Sequence, residues 1–131
     1  FSFQEFSQRY SKAQELEPLE LRKQADKNRQ SSSDAFDNES LIAQVKEHTD
    51  KSISLYNNLI DAGVAKESAR FMLPLTTETT MYMQGSLRSW IHYIDLRSEQ
   101  NTQKEHREIA EACRQIFIDE FPNISAALEW T

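Results

Sequence analysis

Two glycines and three prolines in 131 residues leave this chain few places to turn back sharply. Tight turns draw on glycine for positive φ and on proline for a preset φ. A compact all-β protein needs many of them, so the scarcity predicts a fold carried mainly by helices. The length suits one domain, 1–131. The net charge of −6 argues against a broad nucleic-acid-binding face, because neutralising phosphates takes a basic stripe. A small anion pocket needs only a few local cations and stays open. The single cysteine, Cys113, excludes an intrachain disulfide framework and a cysteine-rich metal site. No apolar run has the length of a membrane span and no signal peptide is evident, so no membrane partner and a cytoplasmic location are expected. The chain opens on Phe1, Phe3 and Phe6 without a methionine or a polar lead-in, as expected of a stretch with further sequence upstream.

Residues 1–10, FSFQEFSQRY, read as extended, which puts Glu5, Ser7 and Arg9 on one side and Phe6 and Tyr10 on the other. Residues 11–37 form a polar connecting segment. Its 15–28 part has helical potential interrupted near Pro18, and the serines from Ser31 read as loop. Asn38 or Ser40 can cap the next helix, with Glu39 in its first turn. Leu41, Val45, Ile53, Tyr56, Leu59 and Ile60 make its apolar stripe, and Gly63 stops it. A short helical piece, 65–71, ends before Pro74. TTETTMYMQ (76–84) is rich in β-formers and reads as a strand, with Met81, Met83 and the later Trp90 assigned to the core. Ser86 begins a helix to about Arg97. Thr102-x-x-Glu105 reads as a capping box for a long helix with an inner stripe of Ile109, Cys113, Ile116 and Phe117. Pro122 closes that helix, and Asn123 caps a final turn or two. The expected class is α+β: helix-rich, with antiparallel strands near residues 1–10 and 76–85.

The chemistry-bearing candidates are cations set in apolar surroundings. Arg88 and His92 are one turn apart and share a helix face, while Arg97 falls about half a turn out of phase. The ordinary reading is snorkelling side chains, with Asp95 pairing to one of them; the functional reading sets this helix between two ligands. Glu5, Ser7 and Arg9 could line a polar ligand, the guanidinium gripping phosphate by its fork, or simply dress an exposed edge strand. Arg70, in ESARFMLPL, needs an acceptor or the surface: a salt bridge to Glu67 or Glu78, or an anion. His48, His92 and His106 lack metal-ligand spacing, so no metal is expected. Ser7 has no evident histidine base, and no glycine-rich phosphate loop is encoded.

FSFQEFSQRYS resembles the tail of the signature of flavin-dependent thymidylate synthases, through Ser2, Glu5, Ser7, Arg9 and Tyr10. ARFMLPLTTETTMYMQGSLRSWIHYIDLRSEQNTQKEHREIA resembles that family's second block. Order and spacing are kept over residues 1–10 and about 60–120. The resemblance implies the C-terminal portion of an α+β synthase that methylates dUMP to dTMP with FAD, methylenetetrahydrofolate and NAD(P)H, as a homotetramer with active sites shared between subunits. It further implies that Glu5, Ser7, Arg9, Arg70 and Arg97 bind dUMP, that Arg97 polarises the uracil ring, and that Arg88, His92 and Ser86 contact FAD. Ser86 stands where many members have asparagine. The family's Arg-His-Arg element is not in this sequence, and residues 1–131 alone are expected not to turn over. The competing expectation is a non-catalytic α-rich oligomerisation domain.

Overall fold

The computed structural model describes residues 1–13, 15–29 and 31–130. Among the described residues the architecture is α+β: four short strands, β1 (Ser2–Glu5), β2 (Arg22–Gln24), β3 (Ser32–Ala35) and β4 (Met81–Gln84), and five α-helices, α1 (Glu39–Asp61), α2 (Lys66–Ala69), α3 (Leu87–Arg97), α4 (Lys104–Glu120) and α5 (Pro122–Ala127). They fall into two compact units, one of residues 2–23 and 34–83, the other of residue 1, 24–33 and 84–131.

In the first unit β1 pairs with β4. The Phe6 amide, just past the end of β1, donates to the Thr80 carbonyl, just before β4 begins, so the ribbon is antiparallel. The expected strands are present but shorter than 1–10 and 76–84. Residues 8–10 turn instead, and 76–80 make an isolated Leu16–Thr77 bridge with flanking backbone bonds rather than a continued strand. Asn38 caps α1, its side chain accepting from the Leu41 amide at 3.1 Å. At the other end Gly63 adopts φ +86°, with Gly63 N–H on Ile60 O and Val64 N–H on Leu59 O. This pair of bonds is a Schellman motif, and it needs the left-handed residue that glycine supplies. Of the expected α1 stripe, Tyr56 is fully buried and Leu41 is exposed. The Tyr56 hydroxyl accepts from the Ala13 amide at 3.1 Å. After α2 a single 3₁₀ turn, Arg70–Met72, leads to Leu73, which is extended as the residue before a proline should be.

In the second unit α3 packs on α4 and α4 on α5. Ile94, Phe117 and Trp130 form the buried cluster, with Trp90, Ile91, Tyr93, Cys113, Ile118 and Leu128 around it. Phe117 meets Trp130 edge-on with ring centroids 5.5 Å apart, and Arg114 lies over the Trp130 ring at 5.0 Å. Ser86 caps α3 by accepting from the Ser89 amide. Gly85 leaves room for the Phe1 ring, which a Cβ there would meet at 2.5 Å.

Four local expectations are corrected. Residues 15–28 form no helix among those described; Arg22–Gln24 and Ser32–Ala35 pair as a hairpin. Its turn is held by side chains, Gln24 Nε2 donating to Asn28 O and Ser31 O and Asn28 Nδ2 to Ser31 Oγ, so polar groups that would weaken a helix fix a turn. The capping box does not form. Gln103 is the N-cap of α4 and gives no side-chain cap bond, because the Thr102 hydroxyl donates to the Leu96 carbonyl. Ile109 and Ile116 are 59% and 63% exposed, and Met81 is exposed too; Ala110 and Phe117 carry the buried face of α4. Pro122 begins α5 rather than merely ending α4, and Asn123 lies inside that helix.

Replacing Ile94 by alanine is expected to cost about 2–5 kcal/mol, and Ile116→Ala less than about 1 kcal/mol; urea unfolding of both variants checks the ranking. Gly63→Ala is expected to cost about 1–2 kcal/mol through its backbone alone, since nothing lies within 4 Å of the added Cβ; the melting temperature reads it.

Candidate functional site

The sequence candidates divide between the two units, Glu5, Ser7, Arg9 and Arg70 in the first and Ser86, Arg88, His92 and Arg97 in the second.

In the first unit the alternation of Glu5, Ser7 and Arg9 does not survive, because the strand ends at Glu5. The Ser7 carbonyl accepts from the Tyr10 and Ser11 amides, and the Ser7 hydroxyl accepts from the Arg9 amide at 3.3 Å. The resulting turn is docked on α2. Arg9 Nη2 donates to Glu67 Oε2 at 3.1 Å, and Lys66 Nζ to the Tyr10 carbonyl at 2.8 Å. Glu67 is therefore the partner of Arg9 and not of Arg70. Arg70 is half-buried at the end of α2, with its guanidinium 5.7 Å from the Phe71 ring centroid and no carboxylate partner among the described residues. The structure thus sets the Arg9 turn beside the helix that ends at Arg70. A cleft of about 370 Å³ lined by Phe6, Gln8, Lys12, Glu15, Glu78 and Thr80 includes none of Glu5, Ser7, Arg9 and Arg70.

In the second unit α3 presents its cations as the helical period requires. Arg88 stands in the first turn, His92 one turn on, and Arg97 in the last. All three are exposed, and none is paired with a carboxylate among the described residues. Asp95 does not engage them. Ser86 spends its hydroxyl on the helix cap and on Ser89 Oγ, 3.0 Å away.

One feature escapes the sequence reading. Tyr93 Oη and His106 Nε2 are 3.1 Å apart, joining α3 to α4. Burial, and then the charge of Arg97, hold the His106 imidazole below its ordinary range. Burial raises the Tyr93 phenol, the Cys113 thiol adds to that, and Arg97 opposes it. Burial alone pushes the Cys113 thiol up. The signal in the sequence is the one-turn spacing of Tyr93 and Arg97; the partner from α4 is invisible to periodicity. Among the described residues no group of three or more histidine, cysteine, aspartate or glutamate side chains is placed to hold a metal ion, and no helix is long and apolar enough to cross a membrane.

A family model described as thymidylate synthase complementing protein matches residues 1–123. The chain belongs to that family. It is 54% identical over 133 aligned residues to a flavin-dependent thymidylate synthase of Synechocystis sp., covering 99% of this chain and 62% of the relative. It is 50% identical to a probable flavin-dependent thymidylate synthase of Paramecium bursaria Chlorella virus 1, with the same coverages, and 35% identical to the Thermus thermophilus enzyme, covering 98% and 48%. The chain thus spans less than two thirds of the length of these relatives. The crystal structure of the UMP/dUMP methylase PolB from Streptomyces cacaoi with 5-Br UMP superposes with a TM-score of 0.75 at 22% identity, over 90% of this chain and 59% of that one. The same methylase with 5-Br dUMP gives 0.71 at 21%, over 90% and 56%. That likeness establishes a fold shared with this methylase.

The lowered His106 fixes the sign of a pH effect. The unfolded chain binds a proton at this site more readily than the folded one, so folding favours the neutral imidazole. Its contribution to stability is complete above about pH 6.5 and is lost as pH falls through the lower folded-state value. His106→Gln is expected to flatten the fall in melting temperature below about pH 6.5, read by circular dichroism.

Proposed function

We propose that the chain is the C-terminal part, a single domain, of a flavin-dependent thymidylate synthase, and that the whole protein methylates dUMP to dTMP. The observation that carries this reading is that α3 presents Arg88 and Arg97 exposed and without carboxylate partners among the described residues, in a chain with 21 acidic side chains to choose from. An arginine that is neither neutralised nor covering a core is available to a ligand anion.

A substrate phosphate is a dianion, and arginine meets it by a two-pronged fork. Arg9 and Arg70 are the phosphate ligands in this reading, with Glu5 and Ser7 completing the nucleotide contacts. Arg9 would exchange its Glu67 partner for the phosphate, an inexpensive exchange because an exposed pair is worth roughly 0–1 kcal/mol. Arg97 is the catalytic residue. Negative charge grows on the uracil oxygens as the ring accepts hydride, and a guanidinium carried at the end of α3 would stabilise it.

The cofactor is FAD, and the residues fit it. Arg88 sits in the first turn of α3, where the helix's own partial positive charge adds to the guanidinium, and His92 lies one turn along on the same face; these two would hold the flavin nucleotide. Ser86 contributes less, because its hydroxyl caps the helix. Bound there, a flavin would supply the redox chemistry of the reaction. Methylenetetrahydrofolate and NAD(P)H are the co-substrates. The assembly is a homotetramer in which several subunits complete each site.

In the intact protein, Arg97→Ala is expected to lower kcat by about 10²–10³ with an unchanged circular dichroism spectrum. Arg88→Ala is expected to weaken flavin binding by about tenfold or more, read by flavin absorbance. An intact wild-type protein that holds no flavin and leaves dUMP unconverted would sink the reading.

A further inference from the structure

We propose that Tyr93 and His106 are a positioning pair for Arg97, fixing the last turn of α3 so that its guanidinium keeps one orientation. The inference rests on the reading of Arg97 given above and deepens it.

The geometry begins with helical spacing. Tyr93 precedes Arg97 by four residues, so the two share a face one turn apart. The Tyr93 ring touches Trp90, edge-on with centroids 5.7 Å apart, and Phe1 at 6.1 Å. It also meets His106, whose ring is 5.7 Å away and whose Nε2 is 3.1 Å from the phenol oxygen. A phenol held by three rings and one hydrogen bond has little freedom to swing. The bond also lies where α3 hands over to α4. There Thr102 Oγ1 donates to the Leu96 carbonyl, and Arg107 Nη1 to the Gln100 carbonyl. Together these contacts clamp the turn that ends at Arg97.

Protonation makes the pair responsive. A neutral imidazole with a bare Nε2 accepts the Tyr93 proton, which places its own hydrogen on Nδ1. The charge of Arg97 acts on both members of the pair, so the guanidinium is within electrostatic reach and favours the neutral imidazole. A proton on His106 would remove the acceptor and set a second cation near Arg97. The groups acting on His106 are Tyr93 and Arg97 from α3; Cys113, further along α4, acts on Tyr93, and burial keeps its thiol neutral. Arg107 is turned to Gln100 and Glu111, and α5 (PNISAA) carries no titratable side chain.

The test uses the intact protein with flavin bound. Tyr93→Phe is expected to lower kcat by at least about tenfold, with KM for dUMP within about threefold and flavin absorbance unchanged. His106→Gln, whose amide oxygen can still accept from Tyr93, is expected to keep most of kcat near neutral pH and to lose the wild-type acid limb below about pH 6.5. Unchanged kcat in Tyr93→Phe, or an intact acid limb in His106→Gln, overturns the proposal; if Tyr93→Phe does not fold, the second variant decides. An NMR titration separates this from failure of the enzyme reading. In Arg97→Gln the His106 imidazole is expected to titrate at higher pH than in wild type whether or not dUMP is consumed, and an unmoved titration refutes the coupling. Absence of dUMP binding and turnover in wild type would instead strike the reading of Arg97.

Discussion

The contact of α3 with α4, closed by Ile94, Phe117 and Trp130, decides where everything on α3 points. Each such side chain gains roughly 1.5–3 kcal/mol on leaving water, and the interlock of a branched aliphatic with two aromatics admits one rotation of α3 about its axis. Arg88 and His92 then emerge on one face because they are four residues apart. Arg97 emerges elsewhere because nine residues make two and a half turns. The placement of the cations follows from the buried residues between them.

That placement also explains how a chain of net charge −6 keeps cations available. Lys51, Lys104 and Arg107 pair with glutamates on their own helices, each four residues away, and Arg9 pairs with Glu67. The residues one turn from Arg88 and Arg97 on α3 include no glutamate, and Asp95 lies two turns from Arg88 and on the opposite side from Arg97. Helical spacing thus pairs Lys51, Lys104 and Arg107 within their own helices and leaves the arginines of α3 for something else. In the proposed enzyme that something is anionic.

Much of this was readable before any coordinates. Asn38, Gly63 and Ser86 end or begin their helices as their chemistry demands, because caps are local and depend on a few neighbouring residues. The α+β class and the shared face of Arg88 and His92 were readable for the same reason. What failed was non-local. The Thr102-x-x-Glu105 pattern is sound, yet the hydroxyl finds the Leu96 carbonyl six residues back. Ile109 and Ile116 keep a helical stripe, yet α3 and α5 cover the neighbouring face through Ala110 and Phe117. The partner of Arg9 lies 58 residues away, and that of Tyr93 thirteen residues away, across a connection whose path no periodicity announces.

The β2–β3 hairpin is held differently from the helices. Its turn rests on amide and hydroxyl contacts among Gln24, Asn28 and Ser31, and its strands bury little, since Ser32–Ala35 are exposed throughout. Opening it surrenders hydrogen bonds that water replaces and exposes almost no new apolar surface. Its backbone amides should therefore trade their protons for deuterium through small excursions, long before those of α4 do, and at a rate hardly altered by denaturant.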